Sequence, residues 1–393
     1  MKFGMDIYEK MKSKKDRLVE FRRDFHKNPE LSYEEVRTAK IVADHLRSLG
    51  LEVKTGLAKT GVTGYLEVDP SYPTVGLRAD MDAIAITELS DVPYKSQVDG
   101  VMHACGHDGH TAALMVAAEL LCEHKEDLKC NVKFIFQPAE EVLPGGANKM
   151  IQDGCLEGVD VIYGGHLNSP LEVGTTKCFE GLSLASINLF EITITGEGTH
   201  TSYPHMGIDT IITASHLVQA LQSLVSREMD PVIPKTISVC QIHGGNHFTA
   251  TPQTVELKGS YCTMDEDQRK MLEEEMHKKV KQVCELFGAK GELKLIQGYP
   301  LLVNHKPEAE YVIDIIESIL GPESVIPSKP TLGAEDFSYY LQEIPGAFFF
   351  TGAMNPEKGI NYPHHHPKFD IDEDALVNHA TILSLAALNY NQS

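Results

Sequence analysis

The chain has 393 residues and carries 35 Lys and Arg against 56 Asp and Glu, a formal net charge of −21. That excess of negative charge argues against binding to nucleic acid or to an anionic membrane surface. The length exceeds what one core usually fills, which predicts two domains. No apolar run reaches the ~18 residues that a membrane helix requires.

Apolar positions Ile7, Met11, Leu18, Phe21 and Phe25 predict a helix over residues 6–27, stopped by Asn28-Pro29. A second helix is predicted over residues 33–49, with Gly50 as its stop. Strand-like segments at residues 63–68, 74–78, 132–136, 159–163 and 347–351 alternate with helical stretches. This pattern predicts an α/β domain with a mostly parallel central sheet flanked by helices, some strands being antiparallel. From about residue 183 the order changes to a strand (187–195), a helix (207–226), two strands (236–243 and 254–263), a charged helix (265–287) and a strand (292–297). That order, βαββαβ, is the ferredoxin-like split unit, inserted into the first domain, to which the chain returns at about residue 304. The predicted division is therefore 1–182, 183–303 and 304–393. Eight cysteines with no CxxC pair, and no secretory pattern in the opening residues, give the expectation of a reducing, cytoplasmic compartment.

Metal-ligand side chains crowd the stretch His103-Ala104-Cys105-Gly106-His107-Asp108-Gly109-His110, just ahead of an apolar helix predicted over residues 111–121. Unsatisfied N–H groups at a helix start favour a thiolate, which would prepare Cys105 to bind a cation or to attack a carbonyl. The alternative is a buried structural cysteine beside a core histidine. Further polar candidates follow strands: Asp80 and Asp82 after one, Glu140 and Glu141 after another, His166 after a third. Sites in open α/β sheets form outside the carboxyl ends of strands, so these pieces can converge on one crevice. Zinc or manganese accepts thiolate, imidazole and carboxylate, and an open position would hold a water with its pKa lowered to roughly 7. A carboxylate that is not a ligand can then act as base. In the loop Pro363-His364-His365-His366-Pro367 at most one or two histidines can point inward, the others being expected at the surface.

Six stretches carry a resemblance over nearly the whole chain: Arg78-Ala79-Asp80-Met81-Asp82-Ala83, residues 102–110, Gln137-Pro138-Ala139-Glu140-Glu141, residues 196–209, Gly333-Ala334-Glu335-Asp336-Phe337, and His365-His366-Pro367-Lys368-Phe369-Asp370. In this order they resemble the binuclear-metal aminoacylases and amidohydrolases that include hippurate hydrolase and the plant auxin-conjugate hydrolases. The resemblance implies a catalytic α/β domain with a ferredoxin-like lid that also joins subunits, giving a homodimer or homotetramer. It implies two divalent ions per chain, zinc or manganese with cobalt or nickel as alternatives, held by Cys105 as bridge with His107, Glu141, His166 and His365. Glu140 would be the general base, Asp82 would orient a ligand, and His200 would reach a neighbouring subunit's site to polarise the scissile carbonyl.

The chain departs from that pattern on the lid. Relatives commonly carry Asn-Val-Ile-Pro-Asp where this chain has Thr249-Ala250-Thr251-Pro252-Gln253, and an Arg in place of Cys262. Both positions help hold a substrate carboxylate in relatives. Asn246, Thr249 and Gly333 are the substrate-binding candidates; the changes imply either a substrate whose carboxylate is absent or displaced, such as a dipeptide-like amide, or a compensating group nearby, with Asn246 and His247 the first candidates. The expected activity is deacylation of N-acyl amino acids by a metal-activated water with Glu140 as base. Competing readings are a dipeptidase acting on small dipeptide-like amides, a hydrolase using Cys105 as nucleophile with His107 as base, and a non-catalytic ligand-binding protein on the same scaffold.

Overall fold

The computed structural model describes residues 2–391, and the chain divides into two compact units. The first takes the chain up to Ser183, then Val303–Lys329, and resumes at Asp336; the second takes Leu184–Leu302 and Pro330–Glu335. Among the described residues no helix is long and apolar enough to cross a membrane.

The first unit is mixed α/β. Its seven-stranded sheet has the order Glu52–Leu57, Gly61–Leu66, Asn131–Gln137, Thr74–Asp80, Val161–Glu172, Gly346–Met354, Thr176–Cys178. The four strands from Asn131–Gln137 to Gly346–Met354 pair in parallel, and the flanking pairs are antiparallel. Asn131–Gln137 and Thr74–Asp80 are buried along their whole length, as strands covered on both faces must be. Register sets their carboxyl ends side by side, Asp80 opposite Gln137, so the residues after each strand emerge together.

The helix His107–Glu123 is buried on every side through most of its length, with Ala112, Ala113, Ala117 and Ala118 permitting close approach. Asp374–Leu388 is likewise apolar all round and packs against it. The helix expected over residues 6–27 is two helices, Gly4–Ser13 and Lys15–Lys27. Ser13 turns its hydroxyl back to the Lys10 carbonyl at 2.6 Å, and Lys14 leaves helical geometry at φ −96°, ψ 7°. The next helix begins at Val36 rather than at residue 33, because Tyr33 sits at φ 64°, which no right-handed helix accepts.

The second unit is an antiparallel four-stranded sheet in the order Lys290–Ile296, Ser186–Thr195, Thr254–Thr263, Lys235–His243. In chain order its elements read βαββαβ, with helices Thr210–Ser223 and Glu266–Leu286 between strands. Alternation along Ser186–Thr195 turns Phe190, Ile192 and Ile194 into a core with Leu217, Leu221, Leu272, Met276 and Val280. The helix predicted over residues 207–226 starts at Thr210, where the Asp209 carboxylate accepts from the N–H groups of Ile211 and Ile212.

Candidate metal centre

Gly106 adopts φ 91°, a left-handed value open to glycine, and this reverses the chain so that the helix starts at His107 with Cys105 beside it. Cys105 Sγ lies 3.4 Å from His166 Nε2, on the long central strand. His107 donates from Nδ1 to the Asp82 carbonyl at 2.9 Å, while its Nε2 is buried with no hydrogen-bond partner among the described residues. His365 Nε2 lies 3.2 Å from Glu141 Oε1, and the His365 N–H donates to the Ala104 carbonyl at 2.8 Å, the residue itself sitting at φ 63°.

Four overlapping sets of ligand atoms form here, each within 4.8 Å of one another: Cys105, His107 and His166; Cys105, Glu141 and His365; His107, Glu140 and Glu141; and Asp80, His107 and His110. Thiolate, imidazole and carboxylate together suit a divalent transition metal. The orphaned His107 Nε2, with its tautomer fixed by the Asp82 carbonyl, is the arrangement a metal-ligating histidine requires. The residues present therefore fit such ions.

Electrostatics correct one expectation. The helix start does not favour the Cys105 thiolate in the metal-free chain: desolvation, then Glu141 and Glu140, push the thiol well above its usual range. Burial opposes a charged His107, yet Asp80 and Asp82 outweigh it and raise the ring to about 10. Burial, with His110 and His364 nearby, holds His166 neutral. A cation among these groups would reverse the first two preferences, since ligands bind it deprotonated.

Besides Asp82, the support around the ligands comes from residues to which the sequence reading gave no role. His110 contacts Asp80 Oδ1 through Nδ1 at 2.6 Å, and its Nε2 accepts from the Leu167 N–H at 2.8 Å. The carbonyl of Leu167 in turn lies 2.9 Å from His166 Nδ1. Asp80 and His110 thus set the Leu167 carbonyl that leaves His166 Nε2 free to bind. The only sequence signal for this was the His107/His110 spacing, which puts both on one helix face. The Asp82 carboxylate accepts from the Glu140 and Glu141 N–H groups at 3.0 Å each and from Ser32 Oγ at 2.6 Å. Arg78 Nη2 reaches Asp336 Oδ1 at 2.9 Å, and Asp336 Oδ2 accepts from Gln137 Nε2 at 2.7 Å.

Of the three consecutive histidines, His365 joins the ligand groups, and His366 stacks on Tyr362. His364 is half-buried edge-on to His166 and accepts from the Ser169 N–H at 3.2 Å.

The remaining candidates lie in the second unit. His200 is exposed and its Nδ1 accepts from the Ser202 N–H at 3.1 Å. Its segment pairs with that of Thr249, the Thr201 N–H donating to the Thr249 carbonyl at 3.1 Å. Asn246 is exposed in the same loop, and His247 Nδ1 meets Thr249 Oγ1 at 3.0 Å. Gly333 offers only backbone, its carbonyl accepting from the Ala185 N–H at 3.0 Å. Cys262 is buried near the far end of Thr254–Thr263, opposite Thr236 and Ile187. Eight residues of strand separate it from Thr254, roughly 27 Å at about 3.4 Å per residue. Thr249 and Cys262 of one chain are therefore not neighbours.

Residues 76–389 match the sequence pattern of Peptidase family M20/M25/M40. The chain is 43% identical over 377 residues to amidohydrolase YhaA of Bacillus subtilis (strain 168), covering 96% of this chain and 95% of the relative. It is 38% identical over 360 residues to the N-acetyl-L-cysteine deacetylase of the same organism, covering 92% and 85%. The crystal structure of the Bacillus subtilis YXEP protein, a dinuclear metal binding peptidase, superposes with a TM-score of 0.82 at 32% identity over 96% of this chain and 98% of that one.

Proposed function

The chain belongs to Peptidase family M20/M25/M40 and is a metal-dependent hydrolase acting on C–N bonds; from that premise we propose that it removes the acyl group from N-acyl amino acids. In this reading two divalent ions, zinc or manganese, are held by Cys105, His107, Glu141, His166 and His365. The observation that carries it is that Cys105 belongs to two ligand groups at once, one with His107 and His166, the other with Glu141 and His365. A relative that deacetylates N-acetyl-L-cysteine supports the substrate class.

Bound divalent ions would supply Lewis acidity toward the amide carbonyl and lower the pKa of water. The chain's own residues do the rest. Glu140, placed with His107 and Glu141 in the third group, takes the proton from the attacking water and passes it to the departing amine nitrogen. Asp82 holds the Glu140 and Glu141 backbones and fixes the His107 tautomer through its carbonyl.

His200, exposed on the lid, polarises the scissile carbonyl in the site of a neighbouring copy. A lid-mediated homodimer is supported by the free edge strand Lys235–His243 and by exposed Ile242, Ile211 and Ile212 in the same unit. The eight cysteines, all free, suit a reducing cytoplasmic setting. The test is to load the protein with zinc, manganese or cobalt and assay N-acyl amino acids and dipeptides. Glu140→Gln is expected to keep its metal and lose at least ~100-fold in turnover. Retained turnover would remove Glu140 from the proton-transfer role.

A further inference from the structure

Three successive amides, at Ala139, Glu140 and Glu141, each donate to a carboxylate behind the turn that carries the two glutamates. Asp82 takes the second and third. The first belongs to Glu35, whose Oε1 accepts from the Ala139 N–H at 2.9 Å. Ala139 is held at φ 57°, in the left-handed region that a residue with a Cβ resists. On the other side the Gly146 N–H closes the turn onto the Ala139 carbonyl at 2.9 Å. A Cβ at Gly146 would come within 1.9 Å of the Pro138 carbonyl oxygen, so the turn has no slack there.

Glu35 is wholly buried, at 0% exposure, and the hydrogen-bond partners of its carboxylate are the N–H groups of Tyr33 and Ala139 and the hydroxyl of Thr60. A carboxyl placed in the interior is costly unless its acceptors are used. Here they are used on backbone N–H groups, one of them the residue immediately before Glu140. We propose that Glu35 is a positioning residue for amide hydrolysis: by holding Ala139 in the left-handed conformation it sets the direction in which Glu140 points. This rests on the reading of Glu140 as the proton-transfer group.

Burial pushes the Glu35 carboxyl up to about 7, and the geometry serves both protonation states. Oε1 accepts the two N–H bonds either way. Oε2, 2.5 Å from Thr60 Oγ1, accepts from that hydroxyl when ionised and donates to it when protonated. Glutamine reproduces the second arrangement, aspartate keeps the charge but loses the reach, and alanine loses all three contacts.

The experiment measures kcat, KM and metal content for Glu35→Ala, Glu35→Gln and Glu35→Asp in the metal-loaded enzyme. Glu35→Ala is expected to lose about 10–100-fold in kcat, the scale of a misplaced catalytic group, with KM and ions per chain unchanged. Glu35→Gln should recover to within about threefold of the parent because its hydrogen bonds survive, and Glu35→Asp should fall between the two. Should the alanine variant not fold, the other pair decides: positioning places Gln above Asp, whereas a role resting on charge places Asp above Gln and overturns the proposal. A Glu35→Ala enzyme with kcat within about twofold of the parent overturns it too, since a misplaced base costs far more. If Glu140→Gln abolishes turnover while Glu35→Ala does not, only this inference fails; if Glu140→Gln retains turnover, the reading beneath it fails first.

Discussion

Replacing Arg22 by methionine removes a charge that the first unit has buried completely. Arg22 reaches Asp108 Oδ2 at 2.9 Å, Asp370 Oδ1 at 2.6 Å and Glu373 Oε1 at 3.3 Å. Asp108 follows His107 and Asp370 follows the His365 loop, so one side chain ties two ligand-bearing segments to the helix Lys15–Lys27. The Asp108 side chain is 0% exposed, and Arg22→Met leaves its charge facing His26, at 2.7 Å, and His103, with Oδ1 already lacking a hydrogen-bond partner among the described residues. Breaking a buried pair in this way costs about 3–5 kcal/mol. Asp370 and Glu373 retain Tyr94 and Arg23 and reach solvent, so their loss adds only about 0–1 kcal/mol.

The assay is reversible urea unfolding of metal-free protein at neutral pH, run as a cycle with Asp108→Asn. A neutral amide needs no cation, so the double variant should recover about 1–3 kcal/mol of the loss predicted by adding the singles. Burial opposes the Asp108 charge, but Arg22 and His26 outweigh it and hold the carboxyl far below its usual range. A depressed carboxyl contributes stability above its unfolded pKa of about 3.9, lost as pH falls toward the folded value, so the penalty of Asp108→Asn should persist to about pH 4 and shrink below it. An Arg22→Met cost below about 1 kcal/mol with no coupling would refute the reasoning, showing instead that His26 sustains the buried Asp108 charge without Arg22.

Glu35 gives the opposite sign. Its folded pKa of about 7 lies above the unfolded value, so its contribution is present at low pH and is lost as pH rises through 7. In metal-free protein, the parent should lose about 2–3 kcal/mol relative to Glu35→Gln between pH 5 and 8, read by thermal unfolding, and a flat difference would contradict it. His110→Ala releases the Leu167 amide and Asp80, and should weaken metal binding about 10–100-fold in a chelator competition; unchanged affinity would remove His110 from the support of His166. Cys262→Arg should raise kcat/KM for a free-carboxylate substrate about 10-fold over its amidated match, the worth of a charged hydrogen bond. A strong requirement for the free acid in the parent, insensitive to changes at Asn246 and His247, would place recognition elsewhere.

Elements with a strong local pattern were legible. The inner strands read as apolar runs because both faces are covered, and Asp82 and Glu141 do follow neighbouring strand ends, whereas His166, expected past a strand over residues 159–163, lies inside the longer strand Val161–Glu172. The edge strand Glu52–Leu57 escaped notice because most of it faces solvent, with Glu52 and Lys54 giving no apolar alternation. Contacts between distant segments left no periodicity to find: Glu35 meets Ala139 across 104 positions, and Arg22 meets Asp370 across 348. The thiolate expected at Cys105 rested on its own helix start alone; it is reversed in the metal-free chain first by burial and then by Glu141 and Glu140, which follow a separate strand.

A spectroscopic cobalt titration tests most directly whether two metal ions share Cys105, as proposed above. Protein stripped with chelator and titrated with Co2+ should bind two ions per chain by calorimetry and develop a thiolate-to-cobalt charge-transfer band. In Cys105→Ser that band should vanish, since among the described residues no other cysteine belongs to a group of ligand atoms. Saturation at one ion per chain, or a band that survives in Cys105→Ser, would contradict the account.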